Sequence, residues 1–266
     1  MIARDYITEW RQYAPWVDDA QIEQDLVISR ALVELFSNAT VARALAFRGG
    51  TALYKLHLTP ALRYSEDIDL VQVKAESAGP LMDALHAVLD PWLGAPRWKQ
   101  TEGRVTFVYR FLSEAAPPLP MRLKVEINTR EHFAVHGFIE QDFAVQSRWF
   151  SGTCRIQTYT LDELLATKLR ALYQRRKGRD LFDLEAGLQR PGVDPARIVD
   201  AFLRYIEHGG HRISQAQFQQ NLDAKLADPT FMTDMSPLLA GGERWDPHRA
   251  AARVSRELLL RLPGGD

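Results

Sequence analysis

The stretch "FRGGTALYKLHLTPALRYSEDIDLVQV", residues 47–73, decides how the rest of the chain is read. It opens on a double glycine, passes through a helix-like run and ends in "SEDIDL", where Asp67 and Asp69 alternate with Ile68 and Leu70. Short length and β-branched content predict a strand there. Side chains alternate along a strand, so Ser65, Asp67 and Asp69 share one face, while Glu66, Ile68 and Leu70 take the other. Charged groups among apolar neighbours cost several kcal/mol unless something neutralises them. Two carboxylates two residues apart on a stiff mount can hold one divalent cation; Mg²⁺ would keep waters and substrate phosphates in its remaining positions. The same pattern also fits two solvated acids at a strand end.

Outward from the acids, "ALAF" before Gly49 and Gly50 reads as a short strand, and "TALYKLHL" after them as a helix with Thr51 as its N-cap. Glycines there allow positive φ and close approach of the backbone to a ligand. The helix N-terminus offers free N–H groups to a phosphate. A plain turn has the same sequence. Neither a Walker A loop nor a dinucleotide fingerprint is present. Further on, "RLKVEIN" places Glu126 opposite to Leu123, Val125 and Ile127, so a neighbouring strand can bring it to the acids as a third carboxylate.

Between Lys168 and Arg179, six of twelve residues are Lys or Arg: Lys168, Arg170, Arg175, Arg176, Lys177 and Arg179. Lys168 lies beside Leu164, Leu165 and Leu172 on a predicted helix, at its buried edge. Asp180 and Asp183 are three apart on the next helix and share a face. The run fits a solvated basic helix or a clamp for triphosphate and nucleic-acid phosphates. His132 and His136 lack the partners of a zinc site, and the lone Cys154 has no nucleophile motif around it. The six Trp read as core or interface anchors.

The 266 residues are 46% hydrophobic and 25% charged, as expected of a globular chain with a sizeable core. A formal charge of −1 excludes a global basic field, so nucleic acid would have to meet a local patch. One cysteine suits a reducing, cytoplasmic setting. The opening "MIARDYITEWRQYAPW" has no apolar core, so no secretory signal is expected, and no apolar run of membrane-spanning length occurs. Residues 18–37 and 78–94 read as helices, and "GRVTFVYRFL", "MRLKVEINTR" and "CRIQTYT" as strands. Five helical patterns follow "LDELLATKLRALYQRR" to the end, those of residues 161–176 included. The expected architecture is α+β: a mixed α/β domain with N-terminal helices over 1–160, then a helical part over 161–266.

The ordered set "FRGGTAL", "RYSEDIDL", "KVEIN", "ELLATKLRAL" and "RRKGRDLFDL", over about residues 45–190, resembles the AbiEii/AbiGii toxin family of nucleotidyltransferases, which includes the MenT toxins. The resemblance implies a DNA polymerase β-like nucleotidyltransferase core with a mixed sheet. It implies a toxin of a toxin–antitoxin or phage-defence system, with a cognate antitoxin. MenT-like members add nucleotides to tRNA 3′ ends and block translation. On this resemblance Gly49, Gly50 and Thr51 hold the incoming triphosphate, and Ser65 stands beside the acids at a position open to silencing phosphorylation. Asp67, Asp69 and Glu126 bind metal, Mg²⁺ or Mn²⁺, while Lys168 and Asp180 are the downstream catalytic pair, with Asp183 as the alternative acid. Lys168 also neutralises the nucleotide's phosphates, and Arg170, Arg175, Arg176, Lys177 and Arg179 meet RNA. The same core can act instead on a protein or small-molecule hydroxyl, or survive as a non-catalytic partner-binding protein. A sugar-nucleotide glycosyltransferase would need the D-x-D strand but not the glycines or the Lys168/Asp180 pair.

Overall fold

The computed structural model describes residues 2–115, 117–241 and 244–264. Its contacts divide the chain into two compact units: Met1–Phe133 with Gly137–Tyr159, and Ala134–His136 with Thr160–Asp266.

The first unit is built on a seven-stranded mixed sheet. In chain order its elements are α1 (Arg4–Trp10), α2 (Asp19–Ser37), α3 (Ala39–Ala44), β1 (Leu45–Arg48), α4 (Gly49–Ala52, running into a π-helical turn Leu53–His57), β2 (Asp67–Gln72), α5 (Gly79–Leu93), β3 (Arg97–Thr101), β4 (Arg104–Leu112), β5 (Pro120–Asn128), β6 (Phe138–Gln146) and β7 (Ser151–Tyr159). The strand order is β3-β4-β5-β2-β1-β7-β6. Among the described strands only the β2–β5 and β1–β7 pairs are parallel.

Each element follows from its residues. The Asp18 carboxylate caps α2 through the Ala20 amide, satisfying a donor that the first turn leaves open. Along α2, Ile22, Leu26, Ile28, Leu32 and Leu35 are all buried. Pro80 starts α5, where a missing N–H is harmless, and Gly94 at φ +77° ends it. Phe107, Val125, Ile68 and Leu70 line the sheet face that α5 covers: the Tyr109 hydroxyl donates to Asp90 at 2.9 Å, and His86 meets Phe107 edge-on. Trp10 and Trp16 are core residues, whereas Trp98 on β3 is half exposed.

Two strands escape the pattern reading, as do the short helix α3 and a short helix at Pro229–Thr233, and one helix start differs from it. Strand β3, "RWKQT", has no apolar alternation because both its faces are exposed. In β6, "FIEQDFAVQ", only Val145 is fully buried, since the strand lies at the sheet edge. The Thr51 cap is corrected: the capping position lies three residues earlier, at Arg48, so α4 starts at Gly49 and Thr51 lies inside it.

The second unit is helical: α6 (Leu161–Gln174), α7 (Gly178–Leu188), α8 (Pro195–His208), α9 (Gln215–Leu226), α10 (Pro229–Thr233) and α11 (Pro247–Glu257). Gly187 lets α7 lie against Leu165 of α6; a Cβ there would stand 2.3 Å from a Leu165 methyl. Ser214 and Gln217 form a capping box on α9. Its interior holds several buried charges, Glu163 among them. Glu163, fully buried, accepts from the amides of Val135 and His136 at 2.6 and 2.8 Å and from the Tyr205 hydroxyl at 2.7 Å. That carboxylate ties residues 134–136 to the helices. Glu163→Leu strands one buried and two half-buried donors and should destabilise the protein by about 3 kcal/mol or more. Urea unfolding would show it; a loss under about 1 kcal/mol would mean water replaces the carboxylate.

Candidate active site

The acids of "SEDIDL" sit where β2 is flanked by β1 and β5. Strand β2 pairs with β5 in parallel register, with Asp67 beside Lys124 and Asp69 beside Glu126. On its other side Asp69 lies across from Arg48 at the end of β1. Neighbouring strands are about 4.8 Å apart, so three carboxylates from two strands share one sheet face with two cations. Glu66 precedes the strand and is exposed.

The cation that sequence reasoning missed is Lys124. Its ammonium lies 3.1 Å from Asp67 Oδ2 and 3.3 Å from Glu126 Oε2. Arg104 adds a longer pair to Glu126, at 3.5 Å. Lys124 sits two residues before Glu126, on the same face of the same strand. That alternation was legible, but only the β2–β5 register shows which acids it meets. Burial works against its charge, yet Asp67, Glu126 and Asp69 outweigh burial and hold its pKa above the ordinary lysine value. Asp69 is the strained member. Burial pushes its carboxyl up; Arg48 offsets part of the rise, and Asp67 and Glu126 add to it. A further positive charge on this face would relieve that repulsion.

Gly49 is fitted to Asp69. Its φ is +84°, and a Cβ there would stand 2.2 Å from Asp69 Oδ2. Only a residue without a side chain lets the backbone turn so close to the carboxylate. Gly50 meets the next pieces: a Cβ would come 2.5 Å from the Arg63 guanidinium and 3.0 Å from Ser65 Oγ. Arg63 is buried, donates to the Tyr64 carbonyl at 2.9 Å and stacks over Tyr54. The Thr51 hydroxyl donates to the Asp67 carbonyl at 2.6 Å and lies 2.9 Å from Ser65 Oγ. Thr51 therefore locks the turn to the acidic strand. Thr51, Arg63 and Ser65 border a cavity of about 670 Å³, whose wall also carries Trp10, Tyr13 and Tyr54.

The second cluster lies wholly within the helical unit. Lys168 is buried, with Nζ 2.8 Å from Asp183 Oδ2 and 3.5 Å from Asp180 Oδ1. Both acids are fully buried, so the lysine holds the two together. Arg175 grips Asp180 through two nitrogens, at 2.7 and 2.8 Å. The rest of the basic run is also engaged. Arg179 makes a two-nitrogen pair with Asp234, Lys177 reaches the same acid at 3.6 Å, Arg176 reaches Asp228 at 3.4 Å, and Arg170 stacks on Tyr205. His132 Nδ1 donates to the Gln72 carbonyl, and His136 Nε2 to that of Arg197. Burial pushes the Cys154 thiol up to about 11, away from nucleophilic use.

A mixed sheet with a glycine turn set against paired strand acids defines a nucleotidyltransferase-like protein. MenT4, the nucleotidyltransferase toxin Rv2826c of Mycobacterium tuberculosis H37Rv, superposes with a TM-score of 0.64 at 17% identity, over 98% of this chain and 91% of that one. JHP933 from Helicobacter pylori superposes with a TM-score of 0.58 at 17% identity, over 91% and 92%. At these identities the likeness is one of fold. No curated protein sequence matches this one. The family model for the nucleotidyl transferase AbiEii toxin of type IV toxin–antitoxin systems matches residues 30–253. The chain belongs to that family. It is a nucleotidyltransferase toxin, and toxin–antitoxin membership implies an antitoxin partner. No described helix is long and apolar enough to cross a membrane.

Nucleotidyltransferases generally take a nucleoside triphosphate and a divalent metal. Among the described residues no three His, Cys, Asp or Glu side chains stand close enough together to hold a metal ion. The donor types are those a hard cation takes: Asp67, Asp69 and Glu126 carry carboxylate oxygens on one face, and Lys124 stands as a cation between two of them. Lys124→Met removes that competitor. Mn²⁺ affinity measured by calorimetry should rise two- to fivefold, the range a half-exposed ion pair of up to ~1 kcal/mol supplies; a fall would show that Lys124 organises the acids instead. Gly49→Ala should cost ~1–2 kcal/mol for its φ alone and displace Asp69. In the same titration Mn²⁺ binding should weaken at least about tenfold, a coupling of ~1.4 kcal/mol.

Proposed function

We propose that this toxin transfers a nucleotide from a nucleoside triphosphate to an RNA hydroxyl, the 3′ end of tRNA, and thereby blocks translation in the cytoplasm. The observation that carries the reading is the β2–β5 register, which sets Asp69 beside Glu126 with Gly49 against the same carboxylate. In the reaction the acceptor oxygen bonds to the α-phosphorus, the bond to the β-phosphate oxygen breaks, pyrophosphate leaves and the hydroxyl proton passes to solvent.

Asp67, Asp69 and Glu126 would hold the divalent metal, Mg²⁺ or Mn²⁺. Bound there, it would supply charge stabilisation for the phosphates and a lowered pKa for the acceptor hydroxyl. Gly49 and Gly50 let the chain lie close to the triphosphate, the amides at the start of α4 point to it, and Ser65 orients it. The cavity beside Thr51 and Ser65 has the size and aromatic lining of a nucleoside site. A phosphate on Ser65 would add a charge of about −2 beside Asp67 and oppose nucleotide entry, a route by which an antitoxin can silence the enzyme. For Lys168 and Asp180 the assignment as catalytic pair rests on their motif. The buried triad with Asp183 gives each acid the same lysine partner, so their separate substitution must choose between them.

The test is incubation with each labelled triphosphate, Mg²⁺ and total RNA. Label should enter tRNA, and Asp67→Asn or Asp69→Asn should cut transfer by at least about a hundredfold, the scale of losing one preorganised charge-stabilising group. Glu66→Gln, exposed ahead of the strand, should keep most of it. Transfer that survives loss of both aspartates, or none by the unaltered protein to RNA, would overturn the reading; label in protein or small molecules would redirect it.

A further inference from the structure

Strands β3, β4 and β5 carry six basic side chains and one acid. The basic residues are Arg97, Lys99, Arg104, Arg110, Arg122 and Lys124, and the acid is Glu126. Residues directly opposite across an antiparallel pair project to the same side. Arg97 opposes Val108, which opposes Lys124; Lys99 opposes Thr106, which opposes Glu126; Arg110 opposes Arg122. Arg104 follows the same alternation along β4. All seven therefore share one face, and the parallel pairing of β5 with β2 continues that face to Asp67 and Asp69. The opposite face, Val105, Phe107, Tyr109, Leu123, Val125 and Ile127, is core.

Arg104 and Lys124 are occupied by Glu126 and Asp67. Arg97, Lys99, Arg110 and Arg122 are exposed, and their charged groups enter no hydrogen bond or ion pair among the described residues. Arg110 and Arg122 stand directly across from one another, an arrangement of like charges that costs stability. In the basic run of residues 170–179, by contrast, acids or a ring hold each cation. The net charge of the chain is −1, so the patch is a local field. It spans about 14 Å from β3 to β2 and about 20 Å along β4, room for several phosphates.

We propose that this face of β3–β5 is the track that binds the phosphate backbone of the acceptor RNA and leads its 3′ end to Asp67 and Asp69. The inference rests on the RNA-nucleotidyltransferase reading and adds the path of the acceptor. Four unpaired cations in rows that run toward the acids suit a polyanion whose terminus is the reacting group. Phosphate contacts of this kind fix register without reading sequence.

The experiment uses the full chain and a fluorescently labelled tRNA pool, with binding followed by anisotropy between 50 and 200 mM salt. A double variant, Arg110→Gln with Arg122→Gln, and a quadruple variant adding Arg97→Gln and Lys99→Gln are compared with a control carrying Arg170→Gln and Arg176→Gln. Arg97, Lys99, Arg110, Arg122 and Arg176 are exposed, so their loss should leave melting close to that of the unaltered protein, whereas Arg170, half-buried against Tyr205, should lower it in the control. Each lost contact should reduce the slope of log affinity against log salt by about 0.7–0.9. The double variant should bind tRNA at least tenfold more weakly, and the quadruple variant more weakly still, with Mn²⁺–nucleotide binding unchanged by calorimetry. Equal affinity and slope in all variants would overturn the track, as would losses confined to the control. Binding of polyglutamate but not tRNA through these residues would overturn RNA as the occupant. If tRNA binds this face with the expected slope yet no nucleotide is transferred, the track stands and the transfer reading fails.

Discussion

Carboxylates on adjacent strands repel one another, and the first unit depends on how that repulsion is contained. The parallel pairing of β2 with β5 puts Asp69 beside Glu126 and Asp67 beside Lys124. Without cations on that face the arrangement would not be tolerated: burial and its neighbours already push the Asp69 carboxyl above the usual range. Lys124 on β5 pairs with Asp67 and Glu126, and Arg48 at the end of β1, itself paired with Glu131, offsets part of the charge on Asp69. The apolar side of the same strands supplies the anchoring. Ile68, Leu70, Val125 and Ile127 are buried, and burying each side chain contributes roughly 1.5–3 kcal/mol. The core thus holds the acids in a place they would not choose.

The glycine turn belongs to the same constraint. Gly49 at positive φ lets the chain leave β1 and enter α4 directly over Asp69, and Thr51 ties that helix back to the Asp67 carbonyl. The turn, the strand and the helix start form one rigid piece. Catalytic arrangements need such placement, because small displacements of charged groups change their interaction with a phosphate strongly. In the helical unit a different economy holds: Lys168 neutralises Asp180 and Asp183 in a fully buried setting, with Arg175 as an outer partner. Arg175, Arg176, Lys177 and Arg179 read in the sequence as a solvated basic helix or a phosphate clamp, and Asp180, Asp228 and Asp234 pair with them. Asp228 and Asp234 lie as many as 57 residues from their partners in sequence, so the run alone could not reveal which acids they meet.

Local pattern was enough for much of the protein. Alternation in "SEDIDL" and "KVEIN" put Asp67, Asp69 and Glu126 on strands with their apolar neighbours turned to the core, because a strand's two faces are set by adjacent residues. The glycines announced a close approach, and helical spacing marked α2, α5 and the helices after residue 160. Strands β3 and β6 were illegible for the opposite reason: on a sheet edge neither face must be apolar, so no alternation is imposed. The Thr51 cap was misread because a Thr before an apolar run is a cap signal, whereas here its hydroxyl serves the neighbouring strand.

The sequence by itself determined which residues carry charge, which faces are apolar and which motifs mark the nucleotidyltransferase toxin family, since these depend on residue identity and short spacing. Only the tertiary structure decided which strand meets which. That register places Lys124 among the acids, sets Arg48 across from Asp69 and gathers Arg97, Lys99, Arg110 and Arg122 onto one face. Pairing between strands is a long-range event: shifting it by one residue would carry every side chain to the other face while leaving the sequence pattern untouched.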